Sequence, residues 1–268
     1  KLAEAKAKGA VAALAQRGLA EANLPGVQVA DSERGLQDLA RAWRARHHLP
    51  LIAVTGSNGK TTVTQMIASI LRAWHGDGAF ATAGNFNNHI GVPLTLLRLR
   101  QDDVQWHRAG VVELGMNHPG EIGMLAKSAQ PTIALANNAQ REHQEFMASV
   151  AEVAAEHADA IAALVPGGTA IVNADDGFAA TWIAAARAVG ACVLTFGIDG
   201  EAEIRGRCAL REDGSDIDVT LPTARIAVAL QVPGLHMVRN ALAAAAAASA
   251  AGATPDAIRV GLNAFRPA

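Results

Sequence analysis

Aromatic residues are scarce in this 268-residue chain: Phe and Trp make up 4% of it and Tyr is absent. Half of the chain is nevertheless apolar, so its core has to be built from Ala, Val, Leu and Ile. The formal net charge is −2 and no run of Lys or Arg occurs. That excludes the electrostatic footprint of a nucleic-acid binder or of a protein held on an anionic membrane surface. Only two cysteines occur, Cys192 and Cys208, with no other ligands near them at metal-binding spacing. They read as free core thiols of a reducing compartment, not as a zinc site or a disulfide. Long hydrophobic runs are missing as well. The segment from Lys1 to Lys6 is charged and helical in pattern, without a signal core. The longest apolar stretch, Ala241 to Ala251, is too short and too alanine-rich to span a bilayer. The expectation is a soluble, cytoplasmic, monomeric protein with neither membrane insertion nor nucleic-acid partners. Its length allows a large core and more than one domain.

What is present in strength is a phosphate-binding pattern. Leu51-Ile52-Ala53-Val54 is short, apolar and branched, as a buried strand is. Val63, Met66, Ile67, Ile70, Leu71 and Trp74 then repeat at the helical period and form one apolar stripe. Between them lies Thr55-Gly56-Ser57-Asn58-Gly59-Lys60-Thr61-Thr62. Gly56 and Gly59 let the loop turn its backbone N–H groups inward, and the following helix N-terminus adds partial positive charge. Lys60 is placed to meet β/γ-phosphates and the Thr61 hydroxyl to ligate Mg²⁺. The spacing departs from the usual phosphate loop, because Val54 stands where its first glycine is found.

Strands and helices alternate from residue 51 to about 200. Strands are expected at 51–55, 110–114, 132–137, 169–173 and 192–196. Helices are expected near 34–50, 60–74, 119–128, 148–164 and 177–188. This alternation predicts an α/β fold, a mostly parallel sheet flanked by helices. Residues 216–221 and 224–232 suggest a small antiparallel extension, followed by helices at about 236–251 and 254–264. Residues 1–33 read as a helix, a short strand around 27–29 and a linker.

In open α/β sheets ligands gather beyond the carboxyl ends of the strands. Glu113 ends an apolar strand there and is either a Mg²⁺ ligand or an acid facing solvent. His143 follows the strand 132–137 and is either functional or a surface residue. Asn173-Ala174-Asp175-Asp176 is suited to holding a ribose or base, and equally to an ordinary capped turn. His236, Arg239 and Asn240 open a helix within about one turn of each other. Asn85, Asn87 and Asn88 suit a polar substrate or plain turns.

Taken in order, these segments resemble the Mur ligases of peptidoglycan synthesis. The segments are Thr55 to Thr62, Gly84 to Gly91, Glu113 to Ile122, Asn173 to Asp176 and Gly234 to Asn240. Gly56-Ser57-Asn58-Gly59, Asn85-Phe86-Asn87-Asn88 and Glu113-Leu114-Gly115 with Gly120-Glu121-Ile122 favour one branch, which joins a UDP-N-acetylmuramoyl-tripeptide to D-alanyl-D-alanine. The resemblance implies an ATP- and Mg²⁺-dependent amide ligase working through an acyl phosphate. Gly56, Ser57, Asn58, Gly59, Lys60, Thr61 and Thr62 would hold ATP phosphates, and Thr61, Glu113 and His143 metal. Lys60, Glu113 and His143 would carry the chemistry. Asn173, His236, Arg239 and Asn240 would meet adenine and ribose, while Asn85, Asn87 and Asn88 would face the substrate. It also implies that 1–33 is a remnant of a uridine-nucleotide domain and linker, 34–268 the central ligase domain, and a third domain absent. Two positions depart from the family: Met237 replaces a common Asn, and His157 stands where many members carry a carbamylated lysine. His157 is then either near the metal site or a helix-surface residue. A sister or folylpolyglutamate-type ligase and a non-catalytic nucleotide module are the competing readings.

Overall fold

The structure, a computed structural model, describes residues 1–141 and 149–267. It opens with α1 (Leu2–Ala7), β1 (Ala13–Ala15) and β2 (Gly26–Gln28), the two strands pairing in parallel as a sheet of their own. Helix α2 (Ser32–Arg44) starts where the Asp31 carboxylate accepts from the backbone N–H groups of Glu33 and Arg34. The helix expected over 34–50 therefore begins earlier and stops at Arg44. Its end is set by tertiary structure. The Arg44 side chain turns inward and donates to the carbonyls of Ala129 (2.9 Å), His47 (2.6 Å) and Gln130 (3.2 Å). Burial lowers the pKa of this guanidinium, and the three carbonyls offset that cost.

The main unit then alternates: β3 (Leu51–Thr55), α3 (Lys60–His75), β4 (Ala79–Ala81), α4 (Gly91–Leu96), β5 (Ala109–Glu113), α5 (Glu121–Ala129) and β6 (Ile133–Ala136). It continues with α6 (Val150–Ala162), β7 (Thr169–Asn173), α7 (Ala179–Ala188) and β8 (Cys192–Gly197). Then come β9 (Ile204–Leu210), β10 (Ser215–Thr220), β11 (Arg225–Leu230), α8 (Leu235–Ala250) and α9 (Pro255–Ala264). The nine-stranded sheet runs in the order β11-β10-β9-β8-β7-β6-β3-β5-β4, parallel from β4 through to β9 and antiparallel across β9, β10 and β11. Both the parallel body and the antiparallel extension agree with the alternation in the sequence.

Besides the three-residue β1, three elements of the main unit escaped the pattern. Strand β4 is only three residues long, and α4 is a six-residue helix with Pro93 inside it. Strand β9 hides its alternation, because its inward positions are Ile204, Gly206 and the half-buried Cys208. Gly206 makes room there for the Leu242 side chain on α8, whose methyl would stand 2.9 Å from an added Cβ and would have to shift. The cysteines are free, but Cys192 is exposed and Cys208 only half-buried. The core-thiol expectation fails because Cys192 opens β8, where the strand is only partly covered. Among the described residues no helix is long and apolar enough to cross a membrane.

The order of the strands locates the site. From β3 the chain first builds β4 and β5 on one side, then crosses to β6 on the other. The crevice at the carboxyl end of β3 is thus a topological switch point, where loops diverge and leave room for a ligand.

Candidate active site

The loop from Gly56 to Gly59 leaves β3 at this switch point. Gly56 has φ +140° and Gly59 φ +79°, and a Cβ at either would collide. At Gly56 it would meet Asn137 Cβ at 2.9 Å, and at Gly59 the Asn240 carboxamide at 2.7 Å. Helix α3 begins at Lys60 with no side-chain cap, so its first-turn N–H groups remain for a ligand. Lys60 Nζ folds across the loop and donates to the carbonyls of Gly56 (2.5 Å) and Ser57 (3.2 Å).

A second layer of amides holds this loop in shape. Asn138 Oδ1 accepts from Asn58 N (2.9 Å), and Asn138 Nδ2 donates to Asn58 O (3.0 Å). Gln140 N donates to Ser57 Oγ (2.9 Å), and the Asn58 amide donates to Gln140 Oε1 (2.7 Å). Asn137 Nδ2 donates to Asn58 O (2.9 Å) and to Asn240 Oδ1 (3.2 Å). Asn137, Asn138 and Gln140 were missed as site residues. The available signal was their place just beyond the carboxyl end of β6.

On the other side of α3, Glu113 closes β5 and is only 2% exposed, so it is not a solvent-facing acid. Its Oε1 accepts from Thr61 Oγ1 (3.1 Å) and Asn87 Nδ2 (2.7 Å), while its backbone N–H donates to Thr82 Oγ1 (3.0 Å). Among the described residues no cation pairs with this buried carboxylate. Such a group fits a metal ion, because burying a charge without a partner is costly. The same residues form no cluster of three His, Cys, Asp or Glu side chains. One carboxylate and one hydroxyl suit Mg²⁺, which takes its other ligands from phosphate oxygens and water. His143 lies outside the described residues.

The remaining candidates separate. Of the asparagine-rich segment, Asn87 reaches Glu113, Asn85 is exposed, and the Asn88 side chain caps the start of α4 through Ile90 N and Gly91 N. Asn173, His236, Met237, Arg239 and Asn240 do converge on one cavity of about 610 Å³ that also reaches Gly59 and Thr62. Within it, Asn173 Nδ2 is engaged with Asn137 O (2.9 Å), and Asn240 backs the phosphate loop. Arg239 pairs with Asp199 (3.0 Å). Asp175 accepts from the N–H groups of Ile198, Asp199 and Gly200 and so fixes the turn after β8. Asp176 serves the turn, accepting from Phe178 N (2.9 Å) and Ala139 N (3.0 Å). The capped-turn reading of 173–176 is therefore part of the answer.

His157 on α6 is 1% exposed, which overturns its helix-surface reading. Its Nδ1 lies 2.9 Å from Thr55 Oγ1, directly before the phosphate loop. Glu156 beside it accepts from Gly120 N (2.8 Å) and Ile122 N (3.0 Å), anchoring the start of α5.

A glycine-bent loop on a helix N-terminus, a lysine across it and a buried carboxylate at the next strand end define a phosphate-loop nucleotide-binding α/β domain. The Mur ligase middle domain matches residues 54–248, and the chain belongs to that family. Over 261 residues it is 37% identical to the UDP-N-acetylmuramoyl-tripeptide–D-alanyl-D-alanine ligase of Escherichia coli (strain K12), covering 97% of this chain and 56% of that one. A crystal structure of MurF from Acinetobacter baumannii matches with TM-score 0.90 at 32% identity, over 100% of this chain and 57% of that chain. MurF ligase from Thermotoga maritima in complex with ADP shares the fold, with TM-score 0.79 at 22% identity over 99% and 59% of the two chains. The chain thus spans little more than half the length of the relatives it matches.

Proposed function

We propose that this chain is the ATP-binding part of an ATP-dependent amide ligase that joins UDP-N-acetylmuramoyl-tripeptide to D-alanyl-D-alanine in peptidoglycan synthesis. On this reading 34–268 is the central domain, 1–33 belongs to the preceding substrate domain, and a further domain completes the ligase. The enzyme works in the cytoplasm as a monomer. The observation that carries the reading is the Thr61–Glu113 contact of 3.1 Å, which puts a buried carboxylate beside the phosphate loop, where a phosphate-bound cation would sit. The identity to named ligases over nearly the whole chain supports this choice of substrates.

Chemistry dictates the order of events, because a carboxylate is a poor acyl donor until it is activated. Transfer of the γ-phosphate to the terminal carboxylate of the tripeptide gives an acyl phosphate. The dipeptide amine then attacks the acyl carbon and phosphate leaves. Lys60 and the loop amides orient the phosphates and stabilise charge as it moves to the transferred group. Mg²⁺, where bound, supplies a positive charge to the phosphate oxygens, with Thr61 and Glu113 as its protein ligands. Asn173, His236, Arg239 and Asn240 shape the adenosine end; the metal role that the family resemblance implies for His143 falls on a residue outside the described ones.

Calorimetry with the chain should give Mg²⁺-dependent nucleotide binding that Lys60→Ala abolishes. In the full-length context, phosphate release should require both the muramoyl tripeptide and D-alanyl-D-alanine. Release with a shorter muramoyl peptide or with a folate would overturn the assignment in favour of a sister ligase.

A further inference from the structure

We propose that Asn87 is a positioning residue for Glu113, holding one carboxylate oxygen so that the other faces the cation, and not a substrate contact. This rests on the reading of Glu113 as the cation ligand and deepens it. Glu113 Oε1 receives two neutral donors, the Thr61 hydroxyl at 3.1 Å and the Asn87 amide at 2.7 Å. One carboxylate oxygen has about two lone-pair sites, so Oε1 is filled. Oε2 has no partner among the described residues and is the oxygen left for a cation.

The Asn87 carboxamide is itself wedged in place. Its backbone N–H donates to Asn85 O (2.8 Å), and its carbonyl accepts from Gly115 N (2.8 Å). A Cβ at Gly115 would stand 2.9 to 3.1 Å from the carboxamide atoms of Asn87. Gly115 lies two residues beyond Glu113 on the same chain, so carboxylate and amide are locked by the same strand end. Mg²⁺ demands near-ideal octahedral geometry, and a carboxylate free to rotate would satisfy it only part of the time. Partners that orient metal ligands typically change metal affinity about 10- to 100-fold. The other asparagines lack this connection, since Asn88 caps α4 and Asn85 is exposed.

The test is calorimetric titration of the chain with ADP, with and without Mg²⁺. Asn87→Ala should leave metal-free ADP binding within about twofold of the parent, which also reports an intact phosphate loop, and reduce the Mg²⁺ enhancement about tenfold. Gly115→Ala keeps the amide but crowds it, and should lose part of the enhancement in the same way. Glu113→Ala separates the two levels. If it removes the Mg²⁺ effect while Asn87→Ala does not, the positioning role is overturned and the cation site stands. If Glu113→Ala leaves the Mg²⁺ effect intact, the cation site itself is wrong. An unchanged Mg²⁺ effect in Asn87→Ala with a raised KM for the muramoyl substrate in the full-length context would return Asn87 to substrate binding.

Discussion

The two faces of strands β6 and β7 are packed in opposite ways. Towards α8 the strands present large residues, Ile133, Leu135 and Ile171, and the helix answers with Ala241 and Ala243 to Ala248, all fully buried. Towards α6 and α7 the strands present mostly small residues, Ala134, Ala136 and Ala170 beside Val172, and the helices supply Val153, Ile161 and Trp182. Side chains fill a layer of roughly constant thickness at near-crystalline density, so bulk on one side of it requires smallness on the other. The difference has a functional side. Helix α8 brings the Asn240 carboxamide against Gly59 of the phosphate loop, whereas α6 reaches only Thr55, the residue before that loop, with the imidazole of His157.

Removing the largest side chain should break the comparison most visibly. Trp182 is fully buried, and its indole N–H donates to Ala154 O at 2.9 Å. Trp182→Ala should cost about 4 kcal/mol in urea unfolding, because the alanine-rich strand surface opposite has nothing to fill the cavity. A loss under about 1 kcal/mol would mean that the two faces are not packed differently.

The reverse substitution probes the other face. Ala245→Leu should destabilise by about 2 kcal/mol through overpacking between α8 and the sheet. It should also weaken nucleotide binding, since α8 carries His236, Arg239 and Asn240. A neutral result in both measurements would show that α8 is not tightly seated.

The smallest effect concerns the polar link. A double-mutant cycle with Thr55→Val and His157→Phe should give a coupling of about 1 kcal/mol by urea unfolding. Coupling below about 0.3 kcal/mol would leave the 2.9 Å contact as mere proximity.

Much of the parallel body was legible because its signals are local. β3 and β7 have the ends expected of them, and α3 runs one residue past its expected end. The phosphate loop was legible for the same reason: its glycines, Lys60 and Thr61 are neighbours in sequence, although the amides of Asn137, Asn138 and Gln140 that hold it in shape come from beyond β6. Helix α2 was placed wrongly because Arg44, which looks like an exposed helix residue, is needed inside to satisfy three carbonyls. Strand β9 was invisible because Gly206 faces a leucine from a helix more than thirty residues later. The asparagines 85, 87 and 88 look alike in sequence, yet only one reaches the carboxylate.

The sequence by itself determined the class of chemistry: phosphate binding from the loop, an α/β sheet from alternation, and a ligase family from the order of its motifs. Tertiary structure decided which polar residues act together. Glu113 meets Thr61 across 52 residues and Asn87 across 26, and Thr55 meets His157 across 102. Periodicity along a chain reports which side of an element is buried. Which buried polar groups find each other depends on how the strands are ordered in the sheet, and that order follows from packing the whole chain at once.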